Sequence, residues 1–206
     1  TRKEIVERLK LPSGGTLTKV LRELIDCDFV RGYNTRERKI KQKDQIYQLI
    51  DLYTLFYMQF CHPASTDTAF WTHQMGKPRQ NTWYGLAFER ICMLHIPQIK
   101  QQLGIAQIYT EYYSWRSKLS TPASQIDLLI ERADNLVNLC EIKYSQAPYS
   151  ITKEEDMRIR TRIADFVGET KIRHGVLTTL ITTFGLRPNP YSSIAQVQLT
   201  MDDLFV

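Results

Sequence analysis

Three ionisable side chains fall where two apolar strands would place them side by side. Residues 125–131 read Gln-Ile-Asp-Leu-Leu-Ile-Glu, with Asp127 lodged among large aliphatics, and residues 135–143 read Asn-Leu-Val-Asn-Leu-Cys-Glu-Ile-Lys, ending on Glu141 and Lys143. Arg132, Ala133, Asp134 and Asn135 supply a turn between the two runs, so a hairpin would bring Asp127 close to Glu141 and Lys143. Side chains alternate along a strand, which puts Glu141 and Lys143 on one face and Ile142 on the other. Two carboxylates beside an ammonium suit phosphodiester chemistry. The carboxylates offer oxygen ligands to Mg2+ or Mn2+, and the lysine is placed to orient or activate an attacking water.

The Glu-x-Lys spacing is not specific by itself. Glu37-Arg38-Lys39 and Glu169-Thr170-Lys171 share it, but the first lies in a basic loop and the second follows a helix. Only Glu141-Ile142-Lys143 ends an apolar strand paired with another acidic strand. A salt-bridged hairpin edge with no chemical role is the plain alternative.

The elements around this hairpin predict an α/β core. Leu86, Phe88, Ile91, Cys92 and Ile96 mark the buried side of a helix beginning near Tyr84 and Gly85, with Glu89 at the stripe's edge. Thr152 and Glu155 form a capping box opening a helix towards Val167, which carries Arg158, Arg160 and Arg162. Residues 175–184 and 194–199 read as strands, and residues 201–206 as a closing turn or short helix. Helices that separate strands favour a sheet covered by helices.

The amino-terminal third has a different pattern. A helix over residues 2–10 and a turn at residues 13–16, with a capping hydroxyl, precede a second helix. Its Leu17, Val20, Leu21, Leu24 and Ile25 share one face, predicted to be buried, with Lys19 and Arg22 outside. Residues 29–33 and 45–49 read as strands flanking a basic loop. From Arg31 to Lys43 the chain carries Arg31, Arg36, Arg38, Lys39, Lys41 and Lys43 against Glu37 alone. Helix, turn, helix, hairpin is a winged-helix order, in which Lys19 and Arg22 would face a groove and Arg36, Arg38, Lys39 and Lys41 would contact phosphates. Many such modules bind proteins instead, and both readings stay open. An apolar helix over residues 52–60, predicted to be buried on several sides, and a connection over residues 63–81 lead to the second part. The expected organisation is a winged helix at 1–50, a connecting helix and linker at 51–75, and an α/β domain at 76–206.

Composition narrows the classes. The 206 residues are 43% hydrophobic, enough for one large core or two small ones, and the net charge of +5 favours polyanions only weakly. No apolar run spans a membrane and no secretory signal opens the chain, so a cytoplasmic location is expected. Cys27, Cys61, Cys92 and Cys140 form no C-x-x-C pair, and reduced, mostly buried thiols are expected. Cys92 and His95 lie three apart, but no second pair completes a zinc site.

Gly85-Leu86-Ala87-Phe88-Glu89, Gln125-Ile126-Asp127-Leu128-Leu129-Ile130 and Cys140-Glu141-Ile142-Lys143-Tyr144 together resemble the successive motifs of the PD-(D/E)XK nuclease superfamily. The whole chain is similar to the carboxy-terminal region of bacterial and archaeal-type P-loop ATPases. The Trp83–Glu89 motif, the Thr-Thr-Phe-Gly-Leu run ending at Leu186 and the Thr-Met-Asp-Asp-Leu-Phe run ending at Phe205 carry that likeness. The resemblance implies a restriction-endonuclease-like fold with a central mixed sheet, and a magnesium or manganese site of Asp127 and Glu141 with Glu89 as accessory carboxylate. It further implies Lys143 as catalytic lysine, DNA as partner, and a P-loop ATPase domain elsewhere in the full-length protein. A binding module that regulates the ATPase without hydrolysis is the alternative.

The superfamily often adds a basic or amide residue on the helix after the Glu-x-Lys strand, for which Lys153, Arg158, Arg160 and Arg162 are unassigned matches. Ile126 stands where a proline is usual. Gly14-Gly15-Thr16-Leu17-Thr18-Lys19 lacks P-loop spacing, so this chain would be the non-ATPase half, with which a first residue other than Met agrees.

Overall fold

The computed structural model describes residues 1–33, 45–61 and 66–205. The chain divides into two compact units, Thr1–Trp83 and Tyr84–Val206.

In the first unit, α1 (Arg2–Leu9) starts from a capping box between Thr1 and Glu4 and stops at Lys10, whose φ of 52° is left-handed. Helix α2 (Gly15–Asp26) begins after Gly14, which provides no side-chain cap, so the hydroxyl cap predicted for this turn is not used. Its buried face is narrower than the periodicity predicted: Leu17 and Leu21 are buried, while Val20 and Leu24 are exposed. The covered stripe follows i, i+4 spacing alone. An antiparallel hairpin follows, β1 (Val30–Tyr33) with β2 (Ile46–Leu49), pairing Val30 with Leu49 and Tyr33 with Ile46. The hairpin's basic tip, with Arg36, Arg38, Lys39 and Lys41, lies outside the described residues.

The next helix departs from expectation. Asp51 caps α3 (Leu52–Phe56), which continues as a π-helical turn over Tyr57–Cys61. It is not buried all round, since Tyr53, Tyr57 and Met58 are exposed and only Phe60 is fully covered. Its inward side joins an aromatic cluster in which Phe56 meets Trp71 at 5.1 Å and Trp83 at 5.5 Å, both edge-on. That cluster explains α4 (Phe70–Gln74), a helix inside the segment expected to be plain connection. Helix α5 (Pro78–Leu94) also starts earlier than its apolar stripe suggested, with proline at its first position.

The second unit is α/β. A five-stranded mixed sheet has the order β3-β4-β5-β6-β7, from β3 (Thr110–Arg116), β4 (Gln125–Arg132), β5 (Leu136–Lys143), β6 (Gly175–Thr182) and β7 (Val197–Thr200). The first two pairings are antiparallel and the last two parallel. The predicted hairpin is β4–β5, with Asn135 at its turn in a left-handed conformation, φ 64°. Helix α7 (Lys153–Thr170) crosses from β5 to the parallel β6, opened by the Thr152–Glu155 capping box. Helix α6 (Ile96–Gln102) and two short 3-10 turns complete the unit. No described helix is long and apolar enough to cross a membrane.

Packing against α7 forms two apolar groups. Phe166 clusters with Trp115, Ile126, Leu129, Val137 and Leu139, while Ile159 clusters with Ile151, Leu180 and Ile194. Ile126 and Leu129 are an odd number of residues apart, yet both join the Phe166 group. The register explains this. Tyr113 pairs with Leu129 but Trp115 with Ile126, so three steps along β4 match two along β3 and one extra residue is accommodated at Asp127–Leu128.

Phe166 is fully buried and its ring meets Trp115 edge-on at 5.5 Å. Phe166→Ala is expected to cost the second unit about 3–5 kcal/mol. Urea unfolding followed by tryptophan fluorescence measures this, and a loss below about 1 kcal/mol would contradict this placement of α7.

Candidate functional site

Strand β5 is buried along almost its whole length, and Glu141 near its end is only 7% exposed. An unpaired carboxylate there would be costly. Two cations answer it: Lys143 Nζ lies 2.6 Å from Oε1, and an Arg162 guanidinium N–H donates to Oε2 at 2.6 Å. Burial pushes the Glu141 pKa up, but the charges and hydrogen bonds of Lys143 and Arg162 outweigh it and hold the carboxyl below its ordinary value. Lys143 reaches Glu141 along their own strand, two residues apart on one face. Arg162 comes across from α7, next to the inward-facing Ile159, Ile163 and Phe166.

A cleft opens beside this pair, lined among others by Lys143, Tyr149, Glu155, Arg158 and Arg162. The Tyr149 hydroxyl donates to the Glu155 carboxylate, and burial together with that partner pushes the tyrosine's pKa up. Glu155 is held in turn as the capping residue of α7, its other oxygen accepting from the Thr152 N–H at 3.1 Å. Arg158 stands 3.7 Å from Glu155 with its side chain largely in solvent.

Asp127 and Glu89 reach the pair through charge. Asp127 is exposed at the β4 irregularity, where it accepts from Gln125 Nε2 at 2.7 Å. Glu89, half-buried on α5, has its pKa pushed up to about 7, first by burial and then by the negative charge of Asp127, with Glu141 adding to it. Arg90 and Lys143 oppose the rise. The four residues named from the sequence thus share one electrostatic neighbourhood, although only Glu141 and Lys143 are in direct contact.

Among the described residues no three His, Cys, Asp or Glu side chains gather closely enough to hold a metal ion as they stand. The donor chemistry nevertheless fits a hard divalent cation. The set is oxygen-only, and such a cation would relieve the repulsion from Asp127 and Glu141 that adds to burial in lifting Glu89.

The other sequence candidates sort as follows. Lys19 and Arg22 are exposed on α2, with Lys19 loosely paired to Glu23 at 3.8 Å. Of the four unassigned cations after β5, Arg162 binds Glu141, Arg158 borders the cleft, Arg160 chelates Asp156 at 2.9 and 3.0 Å, and Lys153 is exposed in the first turn. The stripe Ile159, Ile163, Phe166 is the related signal in the sequence, but Arg158 and Arg162 both adjoin it, so it does not separate them. All four cysteines are free, but Cys27 is exposed and Cys61 partly so, which leaves two buried rather than most. His95 stands at the N-cap position of α6 without a side-chain capping bond, and its ring tilts against Phe205 at 4.9 Å.

No protein-family model matches the sequence, and no curated protein does. A solved structure described as a protein of unknown function, AF1548, is similar over 55% of this chain at 15% identity with a TM-score of 0.39. The chain covers 64% of the length of that protein, and a likeness at this level carries no functional argument.

The Glu89 pKa has a consequence for stability. Its folded value, about 7, lies above the ordinary 4.5, so between these values the folded state holds the extra proton and stability falls as pH rises through the window. Glu89→Gln removes the penalty. The variant is expected to be more stable than wild type at pH 8, by at most about 2 kcal/mol after solvent screening, with the advantage gone below pH 4.5. Urea titrations across pH measure this, and equal slopes for both proteins would contradict the crowding of Glu89.

Proposed function

We propose that the second unit is a PD-(D/E)XK-type domain that cleaves DNA phosphodiesters with Mg2+ or Mn2+. The observation carrying the reading is the Glu141–Lys143 contact at the end of a buried central strand, with the carboxylates of Asp127 and Glu89 within its field. Asp127, Glu141 and Glu89 would hold the cation, which supplies charge stabilisation at phosphorus and a more acidic water. Lys143 presents its ammonium on the same face as Glu141, where it orients the attacking water and screens the incoming phosphate from the carboxylates. Arg158 gives the neighbouring cleft an exposed positive rim.

The proposal extends to the rest of the chain. Helices α1 and α2 followed by the β1–β2 hairpin support a winged helix, with Lys19 and Arg22 on an exposed helix face available to DNA. In the full-length protein these parts would serve a P-loop ATPase, inside the cell.

One observation favours a second reading. Both oxygens of Glu141 are already engaged by cations of the chain, as in an ion pair that stabilises a binding surface without hydrolysis. Incubating the purified protein with plasmid and Mg2+ or Mn2+ separates the two. Metal-dependent scission is expected, falling on the order of a hundredfold or more in Asp127→Ala and in Lys143→Ala. Salt-sensitive retention of DNA with no scission, or scission that survives both substitutions, would instead select the binding module.

A further inference from the structure

Arg162 stands out once the site is assembled. It is the cation that α7 contributes to Glu141, its side chain remains 27% exposed, and it also lines the adjoining cleft. Lys143 is tied to Glu141 by their shared strand, so its pairing survives any movement of the helix side chains. Arg162 has no such tether. Its guanidinium ends a long flexible stem that borders the open cleft beside Glu141. The region is also crowded with positive charge, since Lys143, Arg158 and Arg162 share the cleft with Glu141 and Glu155.

We propose that Arg162 is a displaceable counter-ion of Glu141, which occupies the carboxylate until a divalent cation claims it and then turns into the cleft. The inference rests on the metal-dependent reading above. The guanidinium that donates to Glu141 Oε2 at 2.6 Å already neutralises that carboxylate, and its positive charge repels a divalent cation brought to the same group, so cation and arginine compete for one negative charge. The competition is reciprocal: whatever Arg162 gains from Glu141 is subtracted from metal affinity. It also leaves a guanidinium free beside the cleft only when the metal is bound, ready for a phosphate of the substrate.

The test measures binding, not turnover. Mn2+ is titrated calorimetrically into the full chain, without DNA, as wild type, Arg162→Gln and Arg162→Lys. Arg162→Gln is expected to bind Mn2+ on the order of tenfold more tightly than wild type, and Arg162→Lys, which keeps the positive charge, close to wild type. Equal or weaker binding by a folded Arg162→Gln would overturn the proposal and make Arg162 a support that holds Glu141 for the metal. Should that variant not unfold cooperatively, the wild-type protein answers alone. The Arg162 side-chain N–H resonance, identified by its loss in Arg162→Lys, is expected to shift with Mg2+ at the concentration at which the metal binds, and a resonance that stays put while metal binds overturns the proposal. No metal binding by any of the three proteins would remove the metal-dependent reading itself, and this inference with it.

Discussion

The Glu141 carboxylate sets the terms for the second unit. Taking an isolated carboxylate out of water costs several kcal/mol, more than most single contacts return, so strand β5 can end where it does only if cations arrive with it. Lys143 is supplied by the strand itself. Arg162 has to come from α7, which constrains where that helix begins and how it is rotated: Ile159, Ile163 and Phe166 must face the sheet with Arg162 at the edge of the same stripe. The Thr152–Glu155 capping box sets the first turn and so the phase of every later residue. Glu155, used there as a cap, reaches the same cleft seven residues before Arg162.

The neighbouring strand solves a different problem. Asp127 sits in β4 between Ile126 and Leu128, both fully buried, yet is itself exposed. A regular strand alternates its faces, and Ile126 and Leu129 could not then both pack against Phe166. The extra residue opposite β3 resolves the conflict by letting the apolar positions on either side reach the core while Asp127 stays at the rim. Beyond the last registered pair, Leu128 with Cys140, come Asp127 on one strand and Glu141 on the other. The site thus lies at the carboxyl end of β5, beside the end of its parallel neighbour β6, where Lys143 is in register with Thr182. Open sheets of this kind leave a crevice at such ends.

The parts legible in the sequence were those specified locally. The β4–β5 hairpin follows from two aliphatic runs around a turn whose Asn135 tolerates a left-handed backbone, and α7 from its capping box. Strand β3 went unread because only Tyr113 and Trp115 are buried among its seven residues, and flanking tyrosines and charges hide the alternation. Helix α2 was over-read. Periodicity shows which residues share a face but not how far a partner covers it, and Val20 and Leu24 remain exposed. Arg162 could not be singled out from Lys153, Arg158 and Arg160, since all four are cations on one helix. Only the rotation of α7 against the sheet separates the one that reaches Glu141 from the one that turns back to Asp156. The pKa of Glu89 was out of reach for the same reason, because it depends first on how far the fold buries this α5 carboxylate and then on its lying near two strands distant in sequence.

The salt-bridged reading of Glu141 and the proposed catalytic one can hold for the same carboxylate under different conditions. A buried ligand for a divalent cation still has to be folded when the cation is absent, and its charge must then be neutralised either by a proton or by a cation from the chain. Glu89, lifted first by burial and then by the charge of Asp127, takes the first route, with a pKa raised to about 7. Glu141 takes the second, held ionised by Lys143 and Arg162. Under the metal-dependent proposal the two carboxylates would enter a metal-bound state from opposite sides: one would lose a proton and the other would exchange an arginine. Each exchange would subtract from metal affinity, the first less as pH rises and the second independently of pH while the arginine stays charged. On that proposal, such a site would bind its cation more weakly than its oxygen count suggests, and the same neutralisation is what allows the strand to fold without it.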